Sequence, residues 1–200
     1  MPDITILDKL TEAIYALFGF LLLMLIQYIW EQIKIYKLNK KNKLQNHLDT
    51  SVNIDDKLNE LRILLGANRC SIFQFHNGTF FNSNYSVQYF SITNEEVDNV
   101  TVPVFDKFQK TSIYKWNGLI KDILEKNLMM YKISDKTLNN SIYAFMDTSG
   151  VRTMICCVLG SQKDPMGFLK ISFMHENIEM HSLIDILNKF VKTFNYLLDN

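Results

Sequence analysis

Cysteine is scarce in this 200-residue chain, and the three that occur, Cys70, Cys156 and Cys157, sit inside apolar, strand-like runs. An odd number without a framework of spacings excludes a disulfide scaffold, and buried free thiols suit a reducing compartment. No CxxC pair or Cys/His cluster has zinc-ligand spacing, so no structural metal is expected. Net charge of either sign is also lacking, because 21 basic and 21 acidic residues cancel. A nucleic-acid-binding domain would carry a basic face, and none is visible, so no nucleic-acid partner is expected. There is no Gly-rich phosphate loop, no internal repeat and no low-complexity segment. Glu95 and Glu96 are adjacent, so on a strand they point to opposite faces and cannot act as a carboxylate pair. Cys156 and Cys157 alternate in the same way and have no evident His partner. The chain reads as non-enzymatic, and its residues specify no cofactor.

What the sequence does have is one long uncharged run. Residues 13 to 30, Ala-Ile-Tyr-Ala-Leu-Phe-Gly-Phe-Leu-Leu-Leu-Met-Leu-Ile-Gln-Tyr-Ile-Trp, hold no charge and one Gln. A spanning helix needs about 20 mostly apolar residues to cross a core of about 30 Å. Tyr28 and Trp30 lie where an interfacial aromatic belt would be, and Lys34, Lys37, Lys40, Lys41 and Lys43 follow at once. By the positive-inside rule those lysines stay cytoplasmic and face anionic lipid, leaving residues 1 to 12 outside. A cleaved signal peptide would carry its basic residues before the apolar run. A buried core helix is rarely apolar on all sides over five turns.

Residues 31 to 51 read as a basic juxtamembrane helix or linker, and residues 52 to 200 as one domain. Asp49-Thr50-Ser51 and Asn53 offer N-cap residues for a fresh helix near Ile54, so a break is expected near residue 50. Ile54, Leu58, Leu61 and Leu65 then form one apolar stripe, ended by Gly66 in the C′ position. Strands are expected at residues 69 to 76 and 87 to 93, with Asn77-Gly78 as a turn and a polar loop at residues 79 to 86. Helical stretches follow from Pro103, with Phe105 and Phe108 inward, and from Gly118 to Lys126. A short strand at residues 128 to 133, a helix from 138 to 146 and a hairpin of residues 151 to 159 with 167 to 173 come next. A last helix carries Met180, Leu183, Leu187, Phe190, Phe194 and Leu197 on one stripe. The order predicts an α+β domain, an antiparallel sheet with helices packed on one side.

That order, with three local signatures, resembles the GAF domain family. The signatures are Gly66-Ala-Asn-Arg-Cys-Ser-Ile-Phe-Gln-Phe-His-Asn-Gly78, Ser91-Ile-Thr-Asn-Glu-Glu-Val97, and the stretch from Gly150-Val-Arg-Thr to Gly167-Phe-Leu-Lys-Ile-Ser-Phe173. The Phe-His-Asn-Gly element is similar to a subset of bacterial and phage GAF-like proteins. Abundant Asn, Lys and Ile would suit an AT-rich genome such as a phage's. The resemblance covers residues 52 to 198. It implies a sensory or regulatory module that binds a small molecule between the sheet and the helical insert, passes a signal along its terminal helices and dimerises through them. Two departures stand out. The Asn-Lys-x-Phe-x-Asp-Glu motif of cyclic-nucleotide-binding members is incomplete, and no cysteine is placed for bilin attachment, so neither ligand is expected.

Residues placed to meet a ligand in such a pocket are Phe75, His76, Asn77, Tyr89, Ser91 and Glu95, with Phe80, Phe81 and Tyr85 as further aromatic wall. Each has a structural alternative. His76 could cap the turn by bonding loop backbone, and Asn77-Gly78 could simply supply positive φ. Arg69 could pair with Glu95 or Glu96 across two strands. A pocket filled by the chain's own Phe and Met side chains would instead favour an adaptor that recruits a protein partner to the membrane.

Overall fold

The computed structural model describes residues 4–78, 87–161, 163–175 and 178–199; the expected wall residues Phe80, Phe81 and Tyr85 lie outside these. The chain divides into two compact units, residues 1–49 and 50–200. The first is helical throughout its described length and contains one segment long and apolar enough to cross a membrane. Its described apolar side chains have no protein core around them: Phe18 is 69% and Trp30 67% exposed.

Helix α1 spans Ile4–Leu65, so the break expected near residue 50 does not occur. The residues that suggested an N-cap have tertiary partners instead. Ser51 Oγ and Asp55 Oδ1 both accept from Asn94 Nδ2, at 3.3 and 2.8 Å. The helix does end where expected, at Gly66. Its φ of 61° lets Gly66 N–H reach Ile63 O and Ala67 N–H reach Arg62 O, the paired bonds that close a helix C-terminus.

In the second unit the chain continues through β1 (Arg69–His76), β2 (Tyr89–Val97), a 3-10 turn Phe105–Phe108, β3 (Thr111–Ser112), α2 (Asn117–Lys126), β4 (Leu128–Lys132), α3 (Asn140–Thr148), β5 (Thr153–Gly160), β6 (Pro165–Phe173) and α4 (Ile184–Asp199). The six strands form one antiparallel sheet in the order β3-β2-β1-β6-β5-β4. The expected closing hairpin is β5–β6, and β6 pairs with β1 at the centre. Gly167 opposes Gln74 there, and a Cβ on it would collide with the Phe73 carbonyl. The absent side chain brings the two strands close enough for Phe73 and Phe168 to stack at 4.6 Å.

Helices cover both faces of the sheet rather than the single side expected. The cause lies in β1, β5 and β6, which are buried nearly end to end and so require a cover on each side. On one face, Ile54, Leu58 and Leu61 of α1 and Leu187, Phe190 and Phe194 of α4 pack on Ile72, Ile155, Leu169 and Ile171. On the other, the 103–146 insert lays Phe108, Trp116, Ile123, Phe145 and Met146 against Phe73, Phe90, Met154 and Phe168. Phe105 differs from expectation: the stretch after Pro103 is a single 3-10 turn, and Phe105, at its start, is 40% exposed. Strand β2 runs past the expected end to Val97, and its pairing with β1 skips Thr93, because Ile72 opposes Asn94 while Phe73 opposes Ile92.

Candidate functional site

The six residues expected to meet a ligand do not form one group. Phe75 lies in the aromatic core beneath the insert, 6.0 Å from Phe168 ring to ring. His76 is the next residue, so strand alternation turns it to the opposite side of the sheet. There Gly78 N–H donates to His76 Nδ1 at 3.1 Å, which leaves the proton of the neutral ring on Nε2 to meet Ser91 Oγ at 2.9 Å. Ser91 Oγ also accepts Lys110 N–H at 2.7 Å, and the Tyr89 ring stacks on the imidazole at 5.9 Å. Burial, and then the Lys110 charge, hold the His76 pKa below its ordinary value. The ring ties a turn to two strands, as the structural alternative anticipated. Asn77 is half-buried in that turn, ahead of Gly78 at φ 101°.

Glu95 sits five pairs further along the ladder, opposite Ser71, and faces the insert. Its Oε2 accepts the N–H groups of Val104 and Phe105, both at 2.9 Å, fixing the entry to the 3-10 turn. Its Oε1 lies 3.3 Å from Arg69 Nε in a buried ion pair, the cross-strand pairing read from the sequence. Arg69 in turn donates to Ser149 O at 3.1 Å and Val102 O at 2.6 Å. One guanidinium therefore joins a strand, the end of α3 and the connection after β2. Glu96 points the other way, toward α1, where burial and the nearby Asp55 raise its pKa.

Beside this pair lies the residue that sequence reasoning missed. Lys170, in the middle of central strand β6, is fully buried. Its Nζ donates to Ser149 Oγ at 2.8 Å and sits 4.5 Å from the centroid of Phe145, with Phe108 at 5.6 Å and Phe73 at 6.0 Å. Burial first, and the Arg69 charge second, push its pKa down to about 7. Three ring faces offset part of the lost hydration of an ammonium. A signal was present: in Gly167-Phe-Leu-Lys-Ile-Ser-Phe173 a lysine alternates with Phe168 and Ser172, so it had to point into the same core as Phe168. At the rim of this cluster a groove of about 530 Å³ is lined by Arg69, Thr101, Val102, Lys107 and Ser149 among others.

The space between sheet and insert is itself occupied by side chains. Phe73, Phe90, Phe108, Trp116, Phe145 and Phe168 pack with centroids 4.6 to 6.4 Å apart, mostly edge-on or tilted. The three thiols are buried in strands, and burial pushes Cys156 up to about 12 and the other two higher. Among the described residues no group of three or more His, Cys, Asp or Glu could hold a metal.

No protein-family model matches the chain, and no curated protein matches it in sequence. Solved structures do match it in shape. The phycoerythrobilin-bound GAF domain of a cyanobacterial phytochrome superposes with a TM-score of 0.59 at 12% identity, covering 79% of this chain and 89% of that one. A far-red cyanobacteriochrome photoreceptor gives 0.59 at 12% identity, covering 84% and 96%. The blue-light absorbing form of the Thermosynechococcus elongatus PixJ GAF domain gives 0.55 at 14% identity, covering 77% and 83%. The order of elements, the antiparallel sheet and these superpositions agree: this chain has the GAF fold.

Proposed function

We propose that the chain is a membrane-tethered regulatory module whose GAF-fold domain acts through its surfaces on a protein partner, without catalysis of its own. The carrying observation is the interior between sheet and insert, where six aromatic rings and Met146 fill the volume a ligand would take. The cysteines do not suit bilin attachment, since each is a strand residue with a buried, un-ionised thiol. The carboxylate that looked free to meet a ligand, Glu95, is held by Arg69 and two backbone N–H groups. The tether is residues 13 to 30, apolar and with its described side chains exposed, and Lys34, Lys37, Lys40, Lys41 and Lys43 are exposed just beyond it. By the positive-inside rule these lysines support a cytoplasmic domain and contact with anionic lipid. Exposed Val52 and Ile63 on α1 and Tyr196 on α4 support self-association through the terminal helices.

The decisive test is thermal unfolding of the full chain in lipid nanodiscs, followed by Trp116 fluorescence, against bilin, haem, nucleotide and metabolite panels. The surface-acting reading expects no ligand to raise the midpoint. A saturable rise of several degrees, as tight binding to the folded state requires, would overturn it. Vesicle flotation reads the tether, which is wrong if the full chain made without detergent stays dispersed.

A further inference from the structure

The two edges of the sheet are unlike. β3 is only two residues long, whereas β4, Leu128-Met-Met-Tyr-Lys132, presents a full edge. The direction of its backbone groups follows from two hydrogen bonds at its ends. Val158 N–H donates to Asn127 O at 2.8 Å, and Ile133 N–H donates to Arg152 O at 2.9 Å. In an antiparallel ladder such inward-bonded positions recur every second residue, so 127, 129, 131 and 133 bond to β5. The N–H and C=O groups of Leu128, Met130 and Lys132 therefore point outward. Asp135 N–H takes the Lys132 carbonyl at 3.0 Å. Among the described residues, the remaining five groups have no hydrogen-bond partner.

Natural sheets protect such edges with charges, prolines or bulges. Here the strand holds a single charge, Lys132, at its last position, and the side chains of Leu128, Met129 and Met130 are only partly buried. Along its α4 side lies a groove of about 560 Å³, lined by Leu128, Cys157, Leu187, Val191 and one charged residue, Lys163. Outward N–H and C=O groups two residues apart are complementary to an extended backbone and to nothing else of comparable size. The adjoining groove takes an apolar side chain, and Lys163 and Lys132 favour an acidic one. A second copy of this chain would bring the same lysines to the contact and gain no such pairing.

We infer that the outer edge of β4 and its groove form a docking site for an extended peptide strand of a partner protein, apolar on one side and carrying a carboxylate near Lys163. The inference rests on the surface-acting reading above and gives that reading a location. The test pans a displayed library of seven-residue segments, with Val or Ile at alternate positions, against the full chain in nanodiscs. Enriched segments are expected to carry Asp or Glu, and to lose at least tenfold in affinity against Met130→Pro, which removes one outward N–H and leaves the β5 pairing intact. Lys163→Glu, an exposed change that spares folding, gives the same loss and carries the test should the proline variant fail to fold. Three results overturn the site: no enrichment, enriched segments that bind both variants as tightly as the parent, or a dimer of the parent that Met130→Pro dissolves. None of these touches the ligand panels, and a ligand that stabilises the domain would leave the edge result standing.

Discussion

The two faces of the central sheet solve the same burial problem with different materials. Under α1 and α4 the cover is aliphatic: Ile54, Leu58, Leu61, Leu187, Ile155, Leu169 and Ile171, with two phenylalanines from α4. Under the insert it is aromatic, and a charged cluster of Arg69, Glu95 and Lys170 is sealed in at one end. The first face derives most of its stability from area removed from water, with Glu96 and His76 as its titrating margin. The second depends on pairings between charges, so its stability follows protonation and the loss of any one partner.

The contrast breaks most visibly at Glu95. Replacing it with Ala leaves Arg69 buried without its counter-charge and frees two backbone N–H groups, at a cost of about 3–5 kcal/mol. Urea unfolding followed by Trp116 fluorescence reads that loss, and a cost below about 1 kcal/mol would mean the pair is not sealed from water. Leu58→Ala on the other face should cost about 3 kcal/mol, through lost transfer energy and a cavity. That cost should be the same at pH 6 and pH 9, since the group removed is a buried hydrocarbon that carries no charge.

Lys170→Met sharpens the comparison in the opposite direction. Between pH 7 and about 10.5 the unfolded lysine holds a proton that the buried one has shed, so the Lys170 contribution to stability rises with pH across that window, and it is read below about pH 9, before the three raised thiols oppose it. The methionine variant should lose that slope and be more stable at pH 6 by about 1–4 kcal/mol. An unchanged slope would show that Lys170 is hydrated. The smallest effect belongs to His76. Its pKa is held below the ordinary value, so its contribution is present above about pH 6.5 and is lost as the pH falls through the folded value. His76→Asn should flatten a shallow acid limb while shifting the neutral-pH midpoint by about 1 kcal/mol or less.

The aliphatic face was legible in the sequence and the aromatic one only in part, for a physical reason. Ile54, Leu58 and Leu61 announce their shared side by helical spacing alone, as do Leu187, Phe190 and Phe194. Polar residues with distant partners do not announce themselves. Ser51 and Asp55 read as a helix start because their true partner, Asn94, lies on β2. The end of β2 was missed because Asn94-Glu95-Glu96 looks like a loop until Arg69 and α1 are placed beside it. His76 was readable as a turn cap because its partners are nearby in sequence or on the adjoining strand. Lys170 carried a pattern cue, but its environment of Ser149 and three rings comes from segments 21 to 97 residues away. The aromatic filling itself could not be read from spacing, since rings on a strand suit a pocket wall and a packed core equally well.

The unpaired Thr93 has a consequence for how β2 can change. Upstream of it the even-numbered residues Phe90 and Ile92 meet the insert, and downstream the odd-numbered Glu95 does, while Asn94 and Glu96 serve α1. The strand is thus written in two phases joined by one spacer. Substituting Thr93 alters little beyond a local contact, and deleting it would join Ile92 directly to Asn94 in a regular ladder that still sets Glu95 opposite Ser71; drawing Thr93 into the pairing is what would send Asn94 toward the rings and Glu95 toward the aliphatic side. Lineages of this fold should therefore tolerate many residues at that position, and even its loss, while resisting an added residue that enters the ladder.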